Sequence, residues 1–150
     1  MLREVRDDDL DVFFEQQRDP EAMAMALMPA REREAFDAHW RRILADPACV
    51  IRTIEADGEA AGNALSWEHE GRQLVGYWLG REFWGRGLAT AALAELVQEL
   101  PMRPLHAWVA RSNLGSIRVL EKCGFARVAE TTEFDERIDR IVEMYLYELK

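Results

Sequence analysis

The chain has few of the residues that build disulfide frameworks or metal centres. It contains two cysteines and three histidines in 150 residues. Cys49 and Cys123 are far apart and lie in apolar segments, and the histidines are scattered at positions 39, 69 and 106. This spacing matches no metal-binding motif, so we expect no metal site and predict that both cysteines are buried, reduced thiols.

Long apolar runs and an excess of basic residues are also missing. No apolar run approaches the roughly 20 residues that cross a bilayer, and the N-terminus lacks the long apolar core of a signal peptide. We therefore expect no membrane partner and a cytoplasmic location. The chain has 19 basic and 28 acidic residues, a formal net charge of −9. Such a surface repels a nucleic-acid backbone, so we expect no nucleic-acid partner, whereas it would attract a cationic acceptor such as a polyamine.

What remains is the composition of an ordinary globular protein, with 49% hydrophobic and 31% charged residues. A chain of this length can bury about two-thirds of its unfolded surface and hold its own core. Because we find no internal repeat, low-complexity tract or linker, residues 1–150 are predicted to form one domain.

Apolar periodicity predicts an α+β fold, with an antiparallel meander in the first half of the chain. Gly62 is a candidate bulge, and residues 133–136 are predicted to form an acidic loop, either a solvated turn or a rim that attracts an ammonium group. The predicted strands cover residues 2–5, 49–56, 59–67, 73–79, 105–110, 126–130 and 138–149; the predicted helices cover 10–17, a short segment after Pro20, 31–44, 87–100 and a segment after Asn113.

The stretch Leu79–Thr90 joins a predicted strand to a predicted helix and contains Gly85 and Gly87. The first N–H groups of a helix have no partner inside the helix, and the aligned peptide dipoles place partial positive charge there, which favours a phosphate ligand. Glycine lets a ligand approach the backbone closely, and Arg86 adds a positive charge. The loop lacks the Gly-Lys-Ser/Thr of nucleotide hydrolases and the third glycine of dinucleotide-binding folds.

A second pattern lies one helix and one strand further on. Asn113 suits a helix cap, Ser116 follows three residues later, and the helix is predicted to end at Gly124-Phe125. Together, Trp84-Gly85-Arg86-Gly87-Leu88-Ala89 and this second segment resemble the two signatures of the GNAT superfamily of acetyl-CoA-dependent N-acetyltransferases. The details look most like the branch of ribosomal-protein N-terminal (Rim-type) acetyltransferases, although Trp84 replaces the usual Gln or Arg.

This resemblance implies a single GNAT-type domain, a mixed and mostly antiparallel sheet with helices on both faces. It also implies acetyl-CoA as cosubstrate and direct attack by an amine on its thioester. By the resemblance, backbone groups of Tyr77, Trp78 and Leu79 align the pantetheine arm, and Asn113, Ser116 and Lys122 contact the rest of the cofactor. The pyrophosphate is assigned to the loop residues Trp84, Gly85, Arg86, Gly87, Leu88, Ala89 and Thr90.

The residues that transfer protons during catalysis are less clearly indicated by the sequence. Many relatives carry a tyrosine seven residues after the asparagine to protonate the leaving thiolate, and Leu120 stands there in this chain. Ser116 is the nearest alternative donor. For the base we favour Glu68, at the end of a predicted strand, over the neighbouring His69 and Glu70; a carboxylate in this role would need its pKa raised by burial.

Other interpretations of the same residues are an acetyl-CoA-sensing or scaffolding domain without chemistry, and a transferase of longer acyl groups. The acceptor is equally open: a protein or peptide N-terminus, a polyamine, an antibiotic or a small metabolite. Because family members often dimerise, a homodimer is possible.

Overall fold

The computed structural model describes all 150 residues. A 3₁₀ turn, Arg81–Phe83, precedes the fourth helix. The strands are β1 (Leu2–Arg3), β2 (Val50–Ala56), β3 (Glu59–His69), β4 (Arg72–Leu79), β5 (Leu105–Ala110), β6 (Ala126–Asp135) and β7 (Arg140–Leu149); the helices are α1 (Asp9–Gln17), α2 (Pro20–Ala26), α3 (Arg33–Ala45), α4 (Leu88–Glu99) and α5 (Leu114–Lys122).

The seven strands form one sheet in the order β1-β2-β3-β4-β5-β7-β6. Every neighbouring pair is antiparallel except β4 and β5, which are parallel. The apolar core is divided between the two faces: Ala64 of β3 belongs to the larger cluster with α4 and α5, and its neighbour Leu65 packs on the smaller cluster with α1 and α3. The predicted mixed sheet with helices on both faces is confirmed.

The junction of β4 and β5 positions the site. These strands pair only at Gln73 with Leu105 and at Leu74 with His106, and β5 then continues its pairing with β7 alone. Beyond Leu74 the two strands therefore part. The backbone groups of β4 that face β5 are left without a strand partner from there on, which opens a cleft in the middle of the sheet.

The predicted acidic loop at residues 133–136 is wrong. Glu133, Phe134 and Asp135 lie in β6, paired with β7, so only Glu136 belongs to the turn. The Asp135 carboxylate accepts hydrogen bonds from the Arg137 side chain at 2.8 and 3.0 Å. Pairing with β7 overrides the local acidic composition, so these residues extend a strand and do not form a loop.

The turn before β4 is also shorter than the sequence indicates. Glu68 and His69 are strand residues in β3, and the turn consists of Glu70 and Gly71, both with positive φ. Gly62 does lie beside a bulge, where β2 and β3 shift register between Ile54 and Glu55. None of the five helices combines the length and apolar character needed to cross a membrane.

Candidate active site

The glycine loop leaves the backbone at the start of α4 accessible to a ligand. Gly85 and Gly87 adopt φ values of 77° and 74°, and a Cβ on either would meet no protein atom within 4 Å. Gly87 is the N-cap residue and provides no side-chain cap. The first hydrogen bond inside the helix runs from Ala91 N to Gly87 O at 3.1 Å. The N–H groups before Ala91 therefore have no intrahelical partner and face a side of the loop that an anion such as phosphate fits.

Two side chains of the loop bind the protein itself. The indole Nε1 of Trp84 donates to the carbonyl oxygen of Leu79 at 3.0 Å, which ties the loop to the end of β4. The guanidinium of Arg86 pairs with Asp57, in the β2–β3 turn, at 2.8 Å. Arg86 thus contributes to the local potential while its direct partner is a carboxylate of the protein.

Strand alternation decides which backbone groups of β4 face the cleft. Gly80 N donates to Ala61 O of β3 at 2.8 Å, and the Trp78 carbonyl is directed at Gly62 of the same strand. Backbone groups alternate along a strand, so those of Tyr77 and Leu79 are directed at β5 and those of Trp78 at β3. Since Trp84 already binds the Leu79 carbonyl, the backbone of Tyr77 is the group best placed to bind an extended ligand in the cleft.

The start of α5 faces the same cleft. Asn113 Oδ1 caps this helix by accepting from Ser116 N at 3.2 Å. The Ser116 hydroxyl lies 2.7 Å from the hydroxyl of Tyr77 and shares a hydrogen bond with it. Burial raises the pKa of Tyr77, partly offset by this hydrogen bond, so the phenol keeps its proton at neutral pH. Leu120 is buried in the main apolar cluster and provides no polar group.

A cavity of about 700 Å³ lies between the middle of β4, the start of α5 and α3. It extends from the inner side of α3 through the parting of β4 and β5 to the start of α5, so that Phe36 and Trp40 line one end and Asn113 and Ser116 the other. Tyr77 and Trp78 line its middle. Glu68 also lines it, on an exposed stretch of β3 and without a hydrogen-bond partner. A space of this size suits a small organic molecule.

His39 on α3 also lines the cavity. Burial, followed by the positive charges of Arg31 and Arg42, lowers its pKa to about 4. The imidazole is therefore neutral at physiological pH and too weakly basic to take a proton from an amine.

Five of the fourteen residues predicted from sequence line one cavity: Tyr77, Trp78, Asn113, Ser116 and Glu68. Leu79 and the loop Trp84–Thr90 do not line it, although the loop follows the strand that carries Tyr77. Lys122 stands apart, exposed at the last turn of α5 and without a polar contact. The sequence analysis missed the Tyr77 hydroxyl and the arginines beside His39, because only the tertiary fold places them at the cleft.

Comparison with known proteins identifies the architecture. Residues 1–126 match the family model described as Acetyltransferase (GNAT) domain. An uncharacterized N-acetyltransferase, p20 of Bacillus licheniformis, is 29% identical over 104 residues, which cover 67% of this chain and 58% of p20. YdaF of Bacillus subtilis (strain 168), whose name proposes a ribosomal N-acetyltransferase, is 31% identical over 100 residues, 62% of this chain and 55% of YdaF.

The fold matches solved structures over nearly the whole chain. The crystal structure of a spermidine N-acetyltransferase from Vibrio cholerae, in complex with CoA and spermine, superposes with a TM-score of 0.86 at 16% identity and covers 99% of this chain and 94% of its own. At that identity the likeness concerns the fold alone. The chain spans less than three-fifths of the two curated relatives that it matches.

Proposed function

The chain belongs to the GNAT acetyltransferase family, whose cosubstrate is acetyl-CoA, and we propose that it transfers the acetyl group to a primary amine while both substrates are bound. The observation that carries this proposal is the cavity through the parting of β4 and β5. It would let an amine on the α3 side reach a thioester held beside Tyr77 and Ser116.

Acetyl-CoA supplies the activated acetyl group, and the chain's residues bind and orient it. In the proposal the loop Trp84–Thr90 holds the pyrophosphate through the N–H groups at the start of α4. The edge of β4 at Tyr77, Trp78 and Leu79 aligns the pantetheine arm, with Tyr77 and Leu79 on the side of the cleft. Asn113, Ser116 and Lys122 contact the remaining parts.

For the leaving thiolate we assign the proton to the hydroxyl pair of Ser116 and Tyr77, 2.7 Å apart. The Tyr77 phenol stays protonated at neutral pH, because burial raises its pKa, so the pair has hydrogen-bond donors for the thiolate that develops. In the proposal Ser116 donates to the sulfur and recovers a proton from Tyr77, and the phenolate regains its proton from water in the cavity. Since a thiol, with an ordinary pKa of about 8.5, is a stronger acid than this phenol, the return of that proton completes the transfer. This pair replaces the tyrosine that relatives carry where this chain has Leu120.

For the attacking amine we assign the base to Glu68. Its carboxylate lines the cavity and forms no hydrogen bond within the protein. The side chain is exposed in the free protein, so in the proposal the bound substrates supply the burial that a carboxylate base requires, and Glu68 then accepts the proton directly or through water. His39 is excluded by its low pKa. His69 and Glu70 pair with each other at 3.7 Å, and neither lines the cavity.

The proposal also covers the acceptor, the location of the chain and its oligomeric state. The acceptor is a small amine or a peptide N-terminus, in keeping with the name of YdaF, which proposes ribosomal substrates for that protein. We place the chain in the cytoplasm, with both cysteines as free thiols. A homodimer is also proposed, since β6 is a long edge strand that exposes most of its residues.

Release of free CoA thiol from acetyl-CoA tests this function. We would assay a panel of amino acids, short peptides, polyamines and aminoglycosides, and expect release that depends on one acceptor class. Calorimetric binding of acetyl-CoA with no release would favour the alternative, a sensing or scaffolding domain. Faster release from a longer acyl-CoA would favour a different acyl group. Absence of binding would overturn the proposal.

Variants then test the assigned residues. We expect Glu68→Gln to lower kcat by about 100-fold, while Glu70→Gln, two residues away in the turn, leaves it unchanged. Ser116→Ala and Tyr77→Phe should each lower kcat by about tenfold or more, with acetyl-CoA affinity largely retained. If kcat is equal in Glu68→Gln and Glu70→Gln, the base assignment is wrong.

A further inference from the structure

Three cationic or polar side chains converge on the α3 end of the cavity. Arg31 precedes α3, and His39 and Arg42 lie one turn apart on the same side of that helix. The Arg42 Nη2 donates to His39 Nδ1 at 3.0 Å. All three line the same cavity. Burial, followed by the charges of Arg42 and Arg137, lowers the pKa of Arg31, and the charges of Arg31 and Arg42 contribute to the low pKa of His39, in keeping with this proximity.

This cluster, Arg31, His39 and Arg42, presents only hydrogen-bond donors to the cavity. A guanidinium cannot accept a hydrogen bond, so His39 Nδ1 must accept from Arg42, and Nε2 then carries the proton of the neutral ring. The free positions of the cluster are the remaining N–H groups of both arginines and the Nε2–H. A group with several acceptor oxygens, such as a carboxylate or a phosphate, is the complement of this arrangement.

The cluster also lacks internal carboxylate partners. No carboxylate oxygen lies within 4.0 Å of a guanidinium nitrogen of Arg31 or Arg42, although 28 acidic residues are available in the chain. The nearby Arg137 is paired with Asp135. Of the cavity's two carboxylates, Asp46 accepts from Ala48 N at 2.9 Å, and Glu68 stands on β3.

We infer that the acceptor amine also carries an anionic group, a carboxylate or a phosphate, and that Arg31 and Arg42 bind this group on the wall opposite the thioester. The inference rests on the proposed function and names its substrate class. The aromatic surfaces of Phe36 and Trp40 lie in the same cavity and would contact an apolar body between the amine and the anion.

This class differs from the polyamine that the net charge of −9 favours. A polyamine would place ammonium groups against two arginines that have no counter-ion within the protein. Like charges at close range repel each other, and because both arginines are exposed, this repulsion should be strongest at low ionic strength. The positive charge of Arg31 and Arg42 therefore decides which acceptor is favoured, and the net charge of the whole chain does not.

Matched acceptors test the inference. We would compare apolar dipeptides with a free carboxylate and with an amidated C-terminus, an aminoalkyl phosphate of similar length, and spermidine, and measure CoA release. We expect kcat/KM to be about 10- to 100-fold higher for the free-acid dipeptide, or for the aminoalkyl phosphate, than for the amidated dipeptide. A preference for the free carboxylate or for the phosphate tells the two anions apart. Equal use of the amide, or better use of spermidine, overturns the inference and leaves the acetyltransferase function intact.

Variants on α3 and just before it test the site, and a neighbouring arginine provides the control. Arg31→Gln and Arg42→Gln are expected to raise KM for the anionic acceptor by about tenfold or more, with KM for its amide unchanged. Arg42→Lys should recover part of the loss. Arg41→Gln makes the same change of charge on α3 outside the cavity and should behave as the wild type. Equal effects of Arg41→Gln and Arg42→Gln would contradict the site.

Ligand binding measured without turnover distinguishes a failure of the proposed anion site from a failure of the proposed acetyltransferase function. N-acetylated dipeptides, the products of the proposed reaction, are titrated calorimetrically in the free-acid and amidated forms. Tighter binding of the acid, lost in Arg42→Gln, supports the anion site even when no acceptor is turned over. No difference between acid and amide overturns it.

Discussion

Both the backbone conformation and the phosphate that we assign to the loop require glycine at position 87. Its φ of 74° is a left-handed value, and a Cβ there would project into the open side of the loop. Gly87→Asp places a negative charge where we assign phosphate, so acetyl-CoA affinity should fall by at least about 100-fold. Isothermal titration calorimetry measures this directly.

The matched control for Gly87 is Gly71→Asp. Gly71 has a φ of 79°, also borders open space, and lies in the β3–β4 turn. The two variants share the same change of charge and the same backbone strain, so only the position differs. If both lose acetyl-CoA affinity equally, or if folded Gly87→Asp binds as the wild type does, the pyrophosphate assignment is wrong.

Asp9 is the most strongly bound carboxylate of the chain. It is 4% exposed and accepts from Arg3 at 2.8 and 2.9 Å, from Arg6 N at 2.8 Å and from Thr53 at 2.9 Å. Burial alone would raise its pKa, but these hydrogen bonds together lower it to about 2. Asp9→Asn should cost about 3 kcal/mol of unfolding free energy at pH 7, because Arg3 loses its buried partner. Urea denaturation measures the loss.

The same carboxylate predicts a pH dependence. Its folded pKa lies below the unfolded value of 3.8, so its contribution is present above pH 4 and is lost as the pH falls toward 2. It amounts to about 2 kcal/mol, and the acid limb of the stability curve should flatten in Asp9→Asn. Asp8→Asn is the control, because Asp8 is exposed and forms no cap hydrogen bond. An equal acid response in wild type and Asp9→Asn would contradict the assignment.

Single residues differ in how well their sequence predicts their role. Asn113 could be predicted as a helix cap, since the cap depends on neighbours in sequence. The hydrogen bond between Tyr77 and Ser116 could not, because the partners are 39 positions apart and meet only where β4 passes α5. The cluster of Arg31, His39 and Arg42 was missed because Arg31 precedes α3 and meets the other two only in the fold, and because polar residues on a helix ordinarily face solvent.

At the scale of elements, the β3–β4 pair depends on Gly62. A Cβ at this position would lie 2.1 Å from the Trp78 carbonyl oxygen, a backbone atom that cannot rotate away. Gly62→Ala should therefore force the strands apart and cost about 2 kcal/mol or more. For a domain of this size the melting temperature should fall by about 5 °C. Differential scanning calorimetry provides the measurement.

Gly115→Ala serves as the comparison for Gly62. Its Cβ would lie 3.9 Å from Asn113 Oδ1, an ordinary contact, on the first turn of α5. Alanine favours a helix over glycine, so this variant should gain up to about 1 kcal/mol. Opposite signs for the two substitutions are expected. If Gly62→Ala is as stable as the wild type, the close approach of β3 and β4 is not a constraint.

The order of helices and strands could be predicted because apolar periodicity and turn residues act locally. Strand ends could not, as β6 illustrates: residues 131–135 have little apolar pattern and are held in the strand by pairing with β7. The sequence pattern also could not predict that β4 and β5 part, because it does not indicate that their pairing ends after Leu74. The resemblance to the GNAT family, and not periodicity, implied a cofactor in that place.

At the scale of the whole molecule, the sheet consists of two halves, β1 to β4 and β5 with β7 and β6. The backbones of these halves are paired only at Gln73 with Leu105 and at Leu74 with His106. A ligand that binds the edge of β4, the start of α4 and the start of α5 contacts both sides of this junction. We therefore expect acetyl-CoA to stabilise the whole fold.

The size of this stabilisation follows from mass action. At a free acetyl-CoA concentration 100 times Kd, a ligand that binds only the folded state contributes about 2.7 kcal/mol. In a domain of this size that corresponds to a rise of about 5–10 °C in melting temperature, measured by calorimetry. Gly87→Asp should lose the rise, while Gly71→Asp retains it. Amide exchange at Tyr77 and Leu79 should slow in the wild type with ligand, because their backbone groups face the cleft. A rise in melting temperature without this slowing would place acetyl-CoA outside the junction.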